Sequence, residues 1–230
     1  MLVSHRYRFI YMKTVKTAGT SVESYFERFC MPDGVWTPLH GRPEYESSTG
    51  IIGFRGGKKP HDCKWWNHMS AELVREKIGI DVWCDYFKFC VIRNPFEKCI
   101  SAFEHLGRKH QVDEQLLSSR ACYSGMSPEQ IRFCDFVEKH PPIDRDKYLI
   151  GEEFCMDDVI RFESLTSDIR RICDRLGVPF ETNYLPAFKA KIRRLEATAE
   201  ALYTDRTRTL VSNNFRFEID RFGYKFPLSA

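Results

Sequence analysis

Apolar positions near the start of the chain change from a continuous run to a helical spacing. The run Tyr7–Met12 is rich in aromatic residues, which is typical of a strand, and apolar residues then recur every third or fourth position between Thr20 and Phe29. A short polar segment joins the two. The pattern therefore predicts a strand, a turn and a helix in succession.

The same succession returns twice further along the chain. Strands are predicted at Tyr86–Ile92 and at Asp158–Phe162, the first followed by a helix that opens near Pro95 and the second by a helix that Gly177 ends. Other predicted helices begin near Ser70, Ser127, Ala197 and Asp205. Alternating strands and helices indicate an α/β fold, namely a three-layer P-loop-like domain with a mainly parallel central sheet flanked by helices. We expect residues 1–230 to form a single domain whose ligands gather at the carboxyl ends of the strands.

Composition supports a folded domain and excludes several classes of protein. Hydrophobic residues make up 43% of the 230 positions, enough for a core, and a net charge of +3 is too small to indicate general nucleic-acid binding. No apolar stretch approaches the roughly 20 residues of a membrane helix, and Ser4, His5 and Arg6 interrupt any signal core. We therefore expect a soluble, cytoplasmic chain without a membrane span. The nine cysteines contain no CxxC pair and are interpreted mainly as reduced core residues.

The segment between the first predicted strand and helix has the composition of a phosphate cradle. It reads Lys13, Thr14, Val15, Lys16, Thr17, Ala18, Gly19, Thr20 and Ser21. Backbone N–H groups at such a turn point into one concavity, where the helix dipole favours an anion. Lys16 adds a positive charge, Gly19 allows a close backbone approach, and the hydroxyls of Thr17, Thr20 and Ser21 can donate to phosphate oxygens. The alternative is a helix capped by Thr17 or Thr20 beside a solvated lysine.

A second candidate anion site follows the second predicted strand. Arg93 stands at the end of that strand, where a buried guanidinium needs an anionic partner, and Ser101 in the next helix can face the same anion. The alternative is an arginine that pairs with a carboxylate and caps the sheet.

Together the two segments resemble the cofactor loops of sulfotransferases that use 3′-phosphoadenosine-5′-phosphosulfate (PAPS), especially the carbohydrate branch with its heparan, chondroitin and bacterial members. The sequence KTAGTS at residues 16–21 is similar to the family's PKTGGTS loop for the 5′-phosphosulfate, with Val15 in place of Pro and Ala18 in place of the first Gly. The sequence VIRNPFEK, followed by Ser101, is similar to the family's RxPxxRxxS element for the 3′-phosphate, with Lys98 where Arg is commoner.

This resemblance implies a sulfotransferase that uses PAPS as donor, releases 3′-phosphoadenosine 5′-phosphate (PAP), needs no metal and sulfates a hydroxyl of a carbohydrate or glycan. It assigns the cofactor to Lys16, Thr17, Ala18, Gly19, Thr20, Ser21, Arg93 and Ser101. Sulfuryl transfer is an in-line displacement, in which charge develops on the bridging oxygen. Lys16 is predicted to stabilise or protonate that leaving group.

The acceptor hydroxyl also needs a general base. His68, in the sequence WNHMS before a predicted helix, occupies a place similar to that of the catalytic histidine of uronyl 2-O-sulfotransferases. A structural histidine or a substrate hydrogen bonder is the alternative. His61 and His40 are reserve candidates for the base, and Glu23 or Glu72 is a further one.

Acceptor specificity is predicted for the two segments without a counterpart in the family, from Met31 to Trp66 and from Gly107 to Met126. The first is rich in Gly, Pro and Ser up to Lys64 and is interpreted as a long loop. Candidate side chains for an aromatic and cationic sugar cleft are Trp36, Trp65, Trp66, Arg55, Lys58, Lys59 and Lys64. A small-molecule or lipid acceptor stays open. So do two other functions, a P-loop-type phosphotransferase and a nucleotide-binding module without turnover, although the absence of GxxxxGK[ST] disfavours the first.

Overall fold

The computed structural model describes residues 1–106, 121–185 and 199–227. The chain divides into two compact units, one drawn from Met1–Ile92 and Asp144–Lys189 and the other from Arg93–Ile143 and Ala190–Ala230. The single domain expected over residues 1–230 stays a prediction. Of the predicted loop from Gly107 to Met126, residues 107–120 lie outside the described ranges.

The strands and helices are numbered along the chain. The strands are β1 (Leu2–Ser4), β2 (Phe9–Met12), β3 (Tyr45–Ser47), β4 (Gly50–Ile52), β5 (Phe87–Ile92), β6 (Leu149–Ile150), β7 (Glu153–Phe154) and β8 (Asp158–Arg161). The helices are α1 (Gly19–Glu27), α2 (Ala71–Ile78), α3 (Ile80–Asp85), α4 (Pro95–Leu106), α5 (Pro128–Lys139), α6 (Leu165–Leu176), α7 (Ala199–Leu202), α8 (Asp205–Asn214) and α9 (Arg216–Phe222). All strands, with α1, α2, α3 and α6, belong to the first unit.

The main sheet is mixed, with the order β3-β4-β1-β2-β5-β8. Strands β2, β5 and β8 pair in parallel, with Met12 opposite Cys90 and Ile92 opposite Arg161. Their carboxyl ends therefore meet at one edge, as predicted for ligand binding in an α/β fold. The other pairings, β1 with β2, β1 with β4 and β3 with β4, are antiparallel.

The antiparallel hairpin β3–β4 corrects the prediction of one long loop after Met31. Its three-residue strands lie among glycines and serines and give no periodic signal. Pairing with β1, where Leu2 lies opposite Ile52, makes the segment a strand. A side chain at Gly50 would stand 2.8 Å from the Cys30 carbonyl oxygen, so the close approach needs glycine there.

One face of the sheet carries the core of the first unit. Because side chains alternate along a strand, Phe9 and Tyr11 of β2 point to the same face, where they pack with Phe89 of β5. Helix α1 covers this face with Phe26, whose ring centroid lies 5.0 Å from that of Phe89. This packing fixes α1, and hence the loop that precedes it, against the sheet.

The second unit is helical in its described part. Apolar side chains of α4, α5, α7 and α8 pack together, with Phe103, Phe133 and Phe215 among the buried ones. Ser127 and Gln130 form the capping box of α5 through hydrogen bonds of 3.2 and 2.9 Å. The predicted start of this helix is thus confirmed.

Two further expectations concern the cysteines and membrane-spanning helices. Six of the nine cysteines are buried free thiols, whereas Cys84 and Cys122 are exposed rather than in the core. Within the described ranges, every helix is too short or too polar to cross a bilayer.

Candidate active site

The loop between β2 and α1 is anchored by its first residues. Thr14 Oγ1 donates to the carbonyl oxygen of Val91 in β5 at 2.5 Å, and the Val15 N–H donates to the buried Asp144 carboxylate at 2.6 Å. Thr17 Oγ1 lies 2.8 Å from Thr14 Oγ1. Since the Thr14 proton goes to Val91, Thr17 donates its own proton to Thr14.

The backbone of the loop forms a concavity of hydrogen-bond donors. Lys16 and Ala18 are left-handed, with φ of 62° and 58°. Such left-handed residues alternating with ordinary ones turn successive N–H groups toward one side. Among the described residues, no acceptor meets the N–H groups of Thr17, Ala18, Gly19 and Thr20. With the N-terminus of α1 behind them, these donors fit a phosphate or sulfate group.

The side chains of the loop divide into donors that remain available and donors already used. Thr20 Oγ1 accepts from Lys13 Nζ at 3.3 Å, which leaves its proton for an anion, and Ser21 is half-buried at the start of α1. The Thr17 hydroxyl is buried and committed to Thr14, so the predicted Thr17 hydroxyl contact with phosphate does not fit this geometry. Its N–H remains available.

Ala18→Gly is expected to stabilise the protein. A left-handed residue with a Cβ costs about 1–2 kcal/mol, and glycine avoids this at an entropic cost of about 0.5–1 kcal/mol. We expect the free energy of unfolding to rise by up to about 1 kcal/mol in urea titrations. Ala201→Gly, at an exposed helical position of α7, is the control and should lower it. A lower free energy of unfolding in Ala18→Gly would contradict the claim that the left-handed backbone of Ala18 is strained.

A buried ionic cluster joins α1 to Lys13 and to two arginines from the segments before β3 and after β4. Glu23 and Glu27 of α1 are 0% exposed. Glu23 pairs with Lys13 and Arg55, both at 2.7 Å, and Glu27 pairs with Arg55 and, at 2.7 Å, with Arg42. The Met1 amino group also pairs with Glu23, at 2.8 Å, so Glu23 has three cationic partners and Glu27 has two, which offsets the cost of burying the carboxylates. Three cationic side chains against two carboxylates leave an excess positive charge in this buried cluster.

This cluster removes Glu23 from the candidates for the general base. Burial alone raises the pKa of Glu23, but the positive charges of Lys13, the Met1 amino group and Arg55 outweigh it and hold the pKa well below its usual range. A carboxylate of such low basicity, enclosed by cations, is a poor proton acceptor.

His68 lies directly against the start of the loop. Its Nδ1 is 3.1 Å from the carbonyl oxygen of Lys13. A carbonyl only accepts, so Nδ1 carries the proton and Nε2 carries the lone pair. Burial, followed by the positive charge of Lys13, lowers the pKa of His68 to about 4. The imidazole is therefore neutral at physiological pH, the state that a proton acceptor needs.

The backbone around His68 is held by a neighbouring segment. Phe54 donates its N–H to the Trp65 carbonyl oxygen at 2.8 Å, and Asn67 donates to the Phe54 carbonyl oxygen at 2.9 Å. A side chain at Gly53 would stand 2.6 Å from the Trp66 carbonyl carbon, so only glycine permits this approach. His68 itself has φ of 58°, a left-handed conformation that histidine adopts more readily than most residues.

The reserve candidates for the base and several cleft candidates lie elsewhere. His40 and His61 are exposed, and the Glu72 side chain is 72% exposed at the start of α2. Trp65 is a core residue at 2% exposure, and the buried Arg55 belongs to the ionic cluster, so neither lines a sugar cleft as predicted. Trp66 is half-buried, with Lys59 Nζ 3.8 Å above its ring.

The second candidate anion element lies on α4 in the second unit. Arg93, Glu97 and Ser101 are four residues apart, so they share one side of the helix and its N-terminal extension. Arg93 pairs with Glu97 at 3.6 Å, the carboxylate alternative considered from sequence. Asn94 Oδ1 accepts from the Phe96 N–H at 3.1 Å and so caps the start of the helix.

The predicted site residues thus fall into two groups. In the first unit the structure brings His68 to the loop that carries Lys16, Thr17, Ala18, Gly19, Thr20 and Ser21. In the second unit Arg93 and Ser101 lie on one helix face. Sequence reasoning missed Lys13. The available signal was the i, i+4 pair Glu23 and Glu27 on a helix that also carries the apolar residues Val22, Tyr25 and Phe26, because carboxylates buried with such a helix need cations nearby.

Comparison with known proteins identifies the family of the chain. A model of the sulfotransferase family (sulfotransferase family 2) matches residues 1–225 of the 230. Neither the curated proteins nor the solved structures gave a match. Since the match spans nearly the whole sequence, the chain belongs to the sulfotransferase family.

Proposed function

We propose that this chain transfers the sulfuryl group of PAPS to a hydroxyl of a carbohydrate acceptor. The observation that carries the proposal is the contact between His68 Nδ1 and the Lys13 carbonyl oxygen at 3.1 Å. This contact joins a neutral base to the first residue of a loop that is rich in hydrogen-bond donors for an anion. Family membership supplies the reaction type, since sulfotransferases generally use PAPS.

In this proposal, residues of the loop and residues of α4 each bind one part of PAPS. The N–H groups of Thr17, Ala18, Gly19 and Thr20, with the hydroxyls of Thr20 and Ser21, hold the 5′-phosphosulfate. Arg93 and Ser101 hold the 3′-phosphate. A three-layer P-loop-like fold is part of the proposal, and the loop that follows β2 beside the parallel strands β5 and β8 supports it.

The transfer step needs one proton acceptor and one stabilised leaving group. His68 Nε2 takes the proton of the acceptor hydroxyl as its oxygen forms the new bond to sulfur. The bond between sulfur and the bridging phosphate oxygen breaks, and its electron pair leaves with PAP. Lys16 stabilises the charge that develops on that oxygen. Hydrogen bonding of Nδ1 to a fixed carbonyl keeps the Nε2 lone pair available until it takes this proton.

A carbohydrate acceptor is supported by the surface next to His68. Trp66 precedes it by two residues in the sequence and is half-buried, and Lys59 Nζ lies over its ring. An aromatic face suits the apolar side of a sugar, and a lysine suits an acidic substituent. Lys58 is exposed next to Lys59 and adds positive charge.

Ligand-induced thermal shifts test the donor class. PAP is expected to raise the melting temperature of the protein, and the rise should grow with the logarithm of the PAP concentration, because a ligand that binds only the folded state stabilises it. ATP, which lacks the 3′-phosphate, should have a much smaller effect. An ATP shift larger than the PAP shift would favour the phosphotransferase alternative.

Arg93→Ala is expected to weaken PAP binding. A charge-assisted bond to phosphate contributes about 1.5–3 kcal/mol, so its loss should raise the dissociation constant measured by calorimetry roughly 10- to 150-fold. Arg132→Ala, at an exposed position of α5, is the control and should leave the constant unchanged. An unchanged constant in Arg93→Ala would refute the 3′-phosphate role.

A further inference from the structure

We propose that Lys13 is a positioning residue of this active site, which orients the Thr20 hydroxyl and the His68 imidazole without touching either substrate. Lys13 is the first residue after β2 and is 3% exposed. The inference rests on the proposed function for its catalytic meaning. Its central test, the titration of His68, does not depend on that function.

Lys13 connects two groups that the reaction uses. Its Nζ donates to Glu23 Oε2 at 2.7 Å and to Thr20 Oγ1 at 3.3 Å, and its carbonyl oxygen accepts from His68 Nδ1 at 3.1 Å. Its side chain also packs under the loop, where Lys13 Cγ would lie 3.1 Å from a Cβ at Gly19. One buried residue therefore contacts the loop, α1 and the candidate base.

The contact with Thr20 decides the direction of a proton. An ammonium group only donates, so the Thr20 oxygen must accept from it. The Thr20 proton then points away from Lys13. Because Thr20 lies in the first turn of α1, beside N–H groups without an acceptor among the described residues, that proton joins the hydrogen-bond donors for an anion.

The ammonium charge acts on His68 as well. The charged groups that influence the imidazole are Lys13, the Met1 amino group and Glu23, of which the two cations oppose its protonation and the carboxylate favours it. Glu23 in turn holds the Lys13 ammonium in place and is itself secured by Arg55 at 2.7 Å. The ionic cluster thus keeps a positive charge fixed beside His68 in a site of low dielectric constant.

The test replaces the Lys13 ammonium and follows His68 by NMR. In Lys13→Met we expect the pKa of His68, about 4 in the native protein, to rise by about one unit or more, since a nearby cation has been removed. The dissociation constant of PAP should rise about three- to tenfold, because the Thr20 hydroxyl is no longer oriented. Lys13→Arg keeps the charge and should keep the pKa of His68 low.

Lys88→Met is the matched control. Lys88, like Lys13, is a buried lysine, 9% exposed, and it pairs with a carboxylate, that of Asp157, at 2.9 Å. It lies in β5 opposite Ile10, toward the other end of the strands from the loop. Its replacement should lower stability and leave the pKa of His68 unchanged.

Two results would overturn the inference. One is an unchanged pKa of His68 in folded Lys13→Met, and the other is an equal rise in Lys88→Met, which would indicate general loosening. If Lys13→Met does not fold, Lys13→Gln removes the charge but keeps a donor, and the pKa of His68 must still rise. Failure of the native protein to bind PAP would contradict the proposed function alone.

Discussion

Lys16→Ala is expected to abolish most sulfuryl transfer while the protein stays folded. Lys16 is half-buried in the loop between β2 and α1, with a left-handed backbone, and in the proposed mechanism its charge offsets the negative charge that develops on the leaving oxygen. Removing one such electrostatic contact costs roughly 10²- to 10³-fold in kcat. The measurement is kcat with saturating PAPS, alongside circular dichroism and the melting temperature.

The comparison variants for this position separate charge from local structure. Lys16→Arg keeps a cation but changes its geometry, so we expect partial activity. Lys77→Ala, at an exposed position of α2, should retain native turnover. Native turnover in a folded Lys16→Ala variant would overturn the mechanism.

His68→Asn is expected to lower kcat by about 10²- to 10⁴-fold, the usual contribution of a general base. Asparagine tolerates the left-handed φ of 58° at this position, so the substitution removes the basic nitrogen with little backbone strain. The same change at the exposed His61 is the control and should leave kcat unaltered. Near-native turnover in folded His68→Asn would end the assignment of His68 as the base.

The pH dependence of the rate of the native protein should also report the role of His68 as the general base. Because the pKa of His68 is lowered to about 4, the imidazole is neutral above that value and loses its lone pair below it. The rate should therefore fall as the pH decreases through about 4, and His68 should cause no change near neutrality. A half-maximal rate near pH 6.5, the ordinary histidine value, would contradict the burial of His68 beside Lys13.

Local signals along the sequence predicted most helices of the described fold. Ser70 caps α2, where it accepts from the Leu73 N–H, and Gly177 ends α6 in a left-handed conformation. These signals depend on a few neighbouring residues, so they are visible in a sequence. Strands β1, β3 and β4 were not predicted, because three residues carry little periodicity and their pairing is decided by distant partners.

The site was predicted unevenly for a similar reason. A contiguous segment carries the donor loop, so its residue types and spacing indicated an anion site directly. The environment of His68 depends on Lys13, Glu23 and Arg55, which come from different parts of the chain. Charged residues are mostly exposed, so the sequence favoured a solvated Arg55 in a sugar cleft rather than a buried one.

The most direct test of the central claim is transfer of labelled sulfate from PAPS by the native protein. The acceptors are a panel of polysaccharides and small alcohols, and mass spectrometry locates the sulfate in the product. The account predicts sulfate on a hydroxyl of a carbohydrate, together with one PAP released for each sulfate transferred. PAP binding without transfer to any acceptor in the panel, or transfer to small alcohols alone, would contradict it.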